Sequence, residues 1–322
     1  MNWTLTPDQF ALAWERTDGD RIPYPLAVRL SARDTAERAA QLPALVEWCD
    51  RVLDADLEAA LRVLARPTVR LEVYGEQHPV ARGLDRPATP LESFSPTQVL
   101  GADPGYDPPV AGIGGSSAPP RPVLTPGVAR RPLAPGPTLP VAASTDEPAD
   151  GEPRPVRVLG ACAGHIAVVA AQRPGAVPDR GGDIRLYVGG PKSLAARVIS
   201  VLPEIPMGTN PAVRAPLPRV REDSRDLVTV PVAGPTAPAR IRRLLGHPRM
   251  GIGQIVVSAR RPDGNLHPFG VLCWIDVMSD GRYAIRTGTD VEVTPVDAEA
   301  FAAQLRPMLN AAGRTGADAE RH

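Results

Sequence analysis

The sequence predicts an α+β fold in which helices flank a central antiparallel sheet and one structural unit occurs twice. The segment RVLARP at residues 62–67 is echoed by RLLGHP at residues 243–248. In both copies a pattern typical of a helix precedes the proline, and a pattern typical of a strand follows it. Short turns separate the later strand patterns, which favours hairpins and therefore antiparallel pairing. We interpret the chain as a duplicated helix–strand–strand–strand–helix unit with pseudo-two-fold symmetry.

Three helices are expected before the first long strand. Thr6 is a suitable N-cap for the first helix, because its hydroxyl can accept a backbone hydrogen bond and a proline follows it. Ser31 or Asp34 begins the second helix, which Pro43 interrupts or restarts. Asp54 caps the third helix, which ends before the proline of the first echoed segment.

The rest of the first half alternates between strands and turns. Apolar residues recur with a period of two, as expected for strands with one buried face. The expected strands are residues 68–76, 156–161, 166–171 and 184–188, and a closing helix is expected at residues 191–202.

The second half repeats this arrangement. A one-residue slip in its period-two pattern falls between Gly251 and Gly253, where glycine permits a β-bulge. The expected elements are strands at residues 227–232, 252–259, 269–277 and 283–286, a helix at residues 238–245, and a closing helix at residues 295–309.

These segments predict a single domain with an insertion. Residues 79–155 hold 18 of the 39 prolines, together with many glycines and alanines. Such a segment buries too little apolar surface to offset its ordering entropy, so we expect it to be disordered. The predicted parts of the domain, residues 1–322, are an N-terminal half (1–78 and 156–205), the insertion (79–155), a linker (206–225), a C-terminal half (226–312) and a flexible tail (313–322).

The composition disfavours several classes of protein. The net charge is zero, so no global field attracts nucleic acid or anionic lipid. Three widely spaced cysteines favour reduced thiols over a disulfide framework. No signal peptide is visible, and no segment approaches the roughly 18 apolar residues of a membrane span. We therefore expect a cytoplasmic protein without nucleic-acid partners or membrane spans. The sequence does not indicate an oligomeric state.

Motifs for nucleotides and metals are weak. Residues 189–193, GGPKS, resemble a phosphate-binding loop, but Pro191 stands where the motif needs glycine and removes a backbone donor. The five histidines are not spaced as metal ligands, either from each other or from a cysteine. We expect neither a cofactor nor a metal ion.

No catalytic motif is evident, although an enzyme stays open as an alternative. A Gly-x-Ser-x-Gly elbow is absent. Cys273 lies in an apolar strand, which is typical of an inert core thiol. Asp276 precedes a turn, where acids commonly serve turn chemistry. The alternative is an enzyme that uses either residue in a cleft between the halves. Six arginines between residues 240 and 261 are either a solvated face or a contact patch for an acidic partner.

Short motifs at both ends of the chain carry a family resemblance. They are WTLT at residues 3–6, PYPL at 23–26, LExALRxLARP at 57–67, GIGQ at 251–254, WID at 274–276 and GRY at 281–283, followed by a closing helix from Pro295. Each is weak alone, but their order and spacing resemble the EspG family of actinobacterial type VII (ESX) secretion systems.

The resemblance implies both a fold and a function. EspG-like proteins have a central antiparallel sheet, two related halves and flanking helical bundles. They are non-enzymatic cytosolic chaperones that bind one tip of a helical PE–PPE heterodimer and keep it soluble until export. Because the family binds through its sheet and C-terminal helical bundle, the candidate contact residues are Ile255, Val257, Leu272, Trp274, Arg282 and Tyr283. Strand alternation predicts that about half of them are buried.

The insertion leaves the identity of the binding partner open. It lies where EspG-like proteins carry a variable loop, but it is longer and richer in proline than the family pattern. A different helical-hairpin substrate of an ESX system is therefore an alternative partner. A second alternative is a scaffold whose proline-rich arm, for example residues 132–140, is itself the ligand of a partner domain.

Overall fold

One antiparallel sheet dominates the molecule. The computed structural model describes residues 1–17, 21–78, 152–177, 179–222 and 234–319. Within them ten strands form a single sheet in the order β1-β5-β4-β3-β2-β7-β8-β9-β10-β6. The strands are β1 (Asn2–Leu5), β2 (Val69–Gln77), β3 (Arg154–Ala163), β4 (Ile166–Pro174), β5 (Gly181–Gly189), β6 (Val213–Pro216), β7 (Arg249–Arg260), β8 (Leu266–Val277), β9 (Arg282–Thr287) and β10 (Asp290–Pro295).

Helices cover both faces of this sheet. On one face, here called the inner face, α4 and α7 share a hydrophobic core with the central strands. On the opposite face, here called the bundle face, α1–α3 cover the strands of the first half and α5–α6 cover those of the second. The α+β prediction is confirmed. The helices are α1 (Pro7–Thr17), α2 (Thr35–Val52), α3 (Ala55–Ala65), α4 (Leu194–Ile199), α5 (Leu217–Arg221), α6 (Ala237–Leu245) and α7 (Ala298–Ala319).

The strand order is symmetric about the pairing of β2 with β7. On either side of that pair, three further strands follow in chain order, and a short edge strand completes the half. In each half, helices on the bundle face precede the four strands, and one helix on the inner face follows them. This arrangement suits a pseudo-two-fold axis through the sheet. That the halves arose from one duplicated sequence stays a prediction.

The predicted helix starts agree with the local hydrogen bonds. The hydroxyl of Thr6 accepts a hydrogen bond from the backbone of Gln9, whose side chain accepts one from the backbone of Thr6, so the pair forms a capping box. Asp34, rather than Ser31, caps α2. Asp54 caps α3 as expected. Pro43 does not break α2, which runs through it.

Several boundaries differ from the sequence-based expectation. The expected elements lack β1, β6 and β10, because these strands are short and carry little periodicity. Residues 206–225 are not simply an irregular linker, since β6 and α5 lie within them. The expected flexible tail is helical from residue 313 to 319. The bulge expected between Gly251 and Gly253 lies just before them, as a register shift between Arg249 and Gly251.

Two expectations concern residues outside the described part of the chain. The strand expected at residues 227–232 falls there completely. The insertion expected at residues 79–155 falls there except for residues 152–155, where β3 already begins at Arg154. Among the described residues, no helix is long and apolar enough to cross a membrane.

Candidate partner-binding surface

All six side chains expected to contact a partner are buried. None is more than 3% exposed, so the expectation that half of them face solvent was wrong. The reason is that helices cover both faces of the sheet, and alternation therefore moves a side chain from one core to another. Leu272, Trp274, Ile255 and Val257 belong to the core of the inner face. Contact between these six residues and a partner stays a prediction.

The indole ring of Trp274 packs directly against the backbone of two glycines. Gly75 on β2 and Gly253 on β7 are directly paired, and a Cβ atom on either would lie within 3 Å of the indole ring. The indole ring also packs edge-on against Phe301 of α7, with 6.2 Å between ring centroids. Trp274 thus packs α7 against the central strands of the sheet.

Arg282 and Tyr283 have structural partners. Arg282 donates two hydrogen bonds to Asp276, at 2.7 and 2.9 Å, and both side chains are almost fully buried. The Tyr283 hydroxyl donates to Asp280, which also accepts hydrogen bonds from Thr209. Burial alone would raise the pKa of Asp280, but these hydrogen bonds outweigh it and lower the pKa. Asp276 therefore ties β8 to β9, and Asp280 ties the turn before β9 to the segment that follows α4.

The surroundings of Asp276 and Cys273 do not favour a catalytic role for either residue. Asp276 is 0% exposed and holds Arg282 with both oxygens, so it offers no free carboxylate oxygen for proton transfer. Burial raises the pKa of Cys273 to about 12, which leaves essentially no thiolate at neutral pH. Burial also raises the pKa of Cys49 and of Cys162.

The remaining sequence candidates form local structure. Pro191 opens a 3₁₀ turn, and the Ser193 hydroxyl donates to the carbonyl of Gly190 at 2.8 Å. Three of the six arginines donate to backbone carbonyl groups: Arg249 to Leu245, Arg260 to Pro67, and Arg242 to Arg219 and Glu222. Within the described ranges, no cluster of three or more His, Cys, Asp or Glu side chains is placed to hold a metal ion.

The bundle face has a different character at its centre. The core beneath α1–α3 includes side chains of β3, β4 and β5, and the core beneath α5–α6 includes side chains from β7 outward. Neither core contains a side chain of the intervening strand β2, among the residues that the structure describes. A strip along β2 and β7 therefore separates the two helical groups. This central strip consists of Arg70, Glu72 and Tyr74 on β2 and Gln254, Val256 and Ser258 on β7.

The central strip is polar and partly desolvated. Arg70 and Glu72 lie 3.7 Å apart, with side chains 20% and 16% exposed. Burial lowers the pKa of Arg70 and raises that of Glu72, while their mutual attraction opposes both shifts. The Nε atom of Arg70 has no hydrogen-bond partner among the described residues. A group that supplies an acceptor there would bind in a medium where electrostatic interactions are stronger than in water.

Aromatic residues lie along this region. The rings of Tyr74 and Tyr24 are 5.9 Å apart and tilted, and Tyr24 is 53% exposed. Phe269, at the bulge opposite Ser258, is 41% exposed. Exposed aromatic side chains beside half-buried polar ones are typical of binding surfaces, where each ring adds contact area.

Sequence reasoning did not identify the central strip. The signal was present, since β2 alternates apolar side chains with Arg70, Glu72, Tyr74 and Glu76. That alternation shows only that one face of β2 lacks a hydrophobic cover. It does not show that two helical groups stand on either side of that face.

Comparison with known proteins identifies the family. No curated protein matches the chain. A solved structure of the Mycobacterium tuberculosis type VII secretion system chaperone EspG5, in complex with a PE25–PPE41 dimer, matches over 96% of both chains with 16% identity and a TM-score of 0.52. At this identity the match establishes a shared fold. The profile described as the EspG family matches residues 6–89 and 135–307, which is most of the sequence. The chain belongs to the EspG family.

Proposed function

We propose that this protein is a cytoplasmic chaperone that binds a helical PE–PPE-like heterodimer and keeps it soluble for type VII secretion. The observation that carries the proposal is membership of the EspG family over most of the chain. The fold shared with EspG5, which was solved with a PE25–PPE41 dimer bound, supports the partner class. The role is a binding role, without catalysis.

The central strip is the proposed contact surface. The end of a helical dimer exposes apolar side chains, which promote aggregation unless they are covered, and backbone groups without intrahelical partners. Tyr74 and Val256 provide contact area for the apolar side chains. Arg70, Glu72 and Gln254 provide donors and acceptors for the backbone groups. The six buried residues expected to make contact would act by supporting this strip from within the sheet.

The first experiment is co-expression with a PE–PPE-like pair from the same genome, followed by size-exclusion chromatography and mass determination. We expect a soluble ternary complex, and an insoluble pair when the chaperone is omitted. A pair that is soluble alone and forms no complex contradicts the proposal. In that case the scaffold alternative, with its proline-rich arm as the ligand, becomes the better account.

A matched pair of substitutions tests the surface. Tyr74→Ala removes an aromatic side chain from the central strip, and we expect it to weaken the complex at least tenfold, as for an interface hot spot. Tyr187→Ala makes the same change on the inner face, where Tyr187 packs against Arg197. It should leave binding unchanged. If the two substitutions changed the affinity for the partner equally, the central strip would not be the contact surface.

A further inference from the structure

A pocket lies at the strand ends beside the segment that follows α4, and most of its apolar wall belongs to the core of the inner face. It has a volume of about 290 Å³, close to the lower end of the roughly 300–1,000 Å³ typical of small-molecule sites. Its walls come from the ends of β2, β3 and β4 and from the segment that follows α4. The apolar part of the wall consists of Val156, Val158, Ala171, Val201 and Pro203.

Three nitrogen atoms at one end of the pocket lack partners. Gln77 and Arg154 are directly paired across β2 and β3, and His78 follows Gln77. The Nε2 atoms of Gln77 and His78 and the Nε atom of Arg154 are buried without a hydrogen-bond partner among the described residues. The whole residues Gln77 and His78 are only 6% and 7% exposed. Each donor that is buried unpaired carries the full penalty of its lost hydration, so three together indicate a missing acceptor.

The chemistry of these donors defines the ligand. Arg154 carries a permanent positive charge whose Nε–H suits a carboxylate oxygen. Gln77 donates through its amide, and His78 donates through Nε2 in one tautomer. The valine, alanine and proline side chains offer no polar group and suit an aliphatic body.

We propose that this pocket binds a small aliphatic carboxylate, held at its acid group by Gln77, His78 and Arg154 and at its aliphatic body by the apolar wall. Two sources share this chemistry: a free short-chain acid and the C-terminal residue of an apolar peptide. The site is independent of the proposed chaperone function, because the valine and alanine side chains of its wall belong to the core of the inner face and not to the central strip.

The experiment measures binding of two probes and one control to the full chain by titration calorimetry. The probes are hexanoate and N-acetyl-leucine, and the control is hexanamide, which keeps the chain but lacks the charge. We expect at least one probe to bind at least tenfold more tightly than hexanamide. Tighter binding of hexanoate identifies a free acid, and tighter binding of N-acetyl-leucine identifies a peptide C-terminus. The absence of binding by both probes at millimolar concentration overturns the proposal, as does equal binding of hexanamide.

Variants locate the site. Arg154→Gln should weaken binding of the preferred probe about tenfold or more, whereas Arg306→Gln, an equal change of charge at an exposed position on α7, should not. Ala171→Leu fills the pocket without changing charge and should abolish binding. Unchanged affinity in both Arg154→Gln and Ala171→Leu places the probe elsewhere and overturns the proposal. The partner complex should survive Arg154→Gln, so the failure of one proposal is distinguishable from the failure of the other.

Discussion

At the scale of single residues, Asp276 and Arg282 form a buried ion pair in which each charge is compensated by the other. Asp276→Asn removes the negative charge but leaves Arg282 buried, and breaking such a pair costs about 3–5 kcal/mol. We expect a loss of unfolding free energy of that size, measured by urea denaturation. The double variant Asp276→Leu/Arg282→Met leaves no buried charge and should be less destabilised than Asp276→Asn. A single variant as stable as the parent protein would contradict the assignment.

The close contact between Gly253 and Trp274 gives a second prediction at this scale. A Cβ atom at position 253 would lie 2.2 Å from the indole ring and 2.7 Å from the carbonyl oxygen of Tyr74. Gly253→Ala therefore requires the ring or the backbone to move, which costs about 1–3 kcal/mol. Gly288→Ala is the matched control, because a Cβ atom there meets no neighbour within 4 Å. We expect thermal denaturation to show a lower melting temperature for Gly253→Ala only.

At the scale of elements, the last turns of α7 belong to the folded structure. Ala312 is fully buried, and a Cβ atom on Gly316 would lie 2.4 Å from a methyl group of Thr68, so the helix end packs closely on the start of β2. Deleting residues 314–322 removes this contact and should lower the melting temperature by several degrees, since about 1 kcal/mol corresponds to roughly 2–4 °C in a fold of this size. Deleting only residues 320–322 is the control and should have no effect. Equal melting temperatures for the two truncations would show that residues 314–319 add nothing to the stability of the fold, as expected for a tail.

At the scale of the whole molecule, the insertion is joined to strands that already pair. The register of β2 with β3 runs from Val69↔Cys162 to Gln77↔Arg154, so a short loop can close the strand ends. Each halving of a flexible loop changes the closure free energy by only about 0.6 kcal/mol, in favour of the shorter loop. Deleting residues 82–152 should therefore leave the melting temperature unchanged or slightly higher. A fall of many degrees would show that the insertion contributes to the fold.

The same deletion separates the two functional accounts. A chaperone that binds through the central strip should still form the ternary complex, because the strip lies on β2 and β7. A scaffold that is recognised through its proline-rich arm should lose its partner. The readout is co-purification of the PE–PPE-like pair with the shortened chain.

Long, strongly patterned elements were predictable from the sequence, and short ones were not. The capping side chains of Thr6 and Asp54 act within one turn of helix, so local sequence is enough to place α1 and α3. The edge strands β1 and β6 have four residues each, and their pairing with β5 and β10 supplies what their sequence does not signal.

The sequence by itself determined the fold class and the family, because these depend on periodicity, caps and motif order along the chain. Only the tertiary structure decided which side chains are exposed. The pairing of β8 with β9 places Trp274 and Tyr283 on opposite faces of the sheet, but both faces are covered by helices at those positions, so both side chains are buried. The central strip and the pocket beside Arg154 likewise arise from where the helices end on the sheet, which is a property of packing between elements distant in sequence.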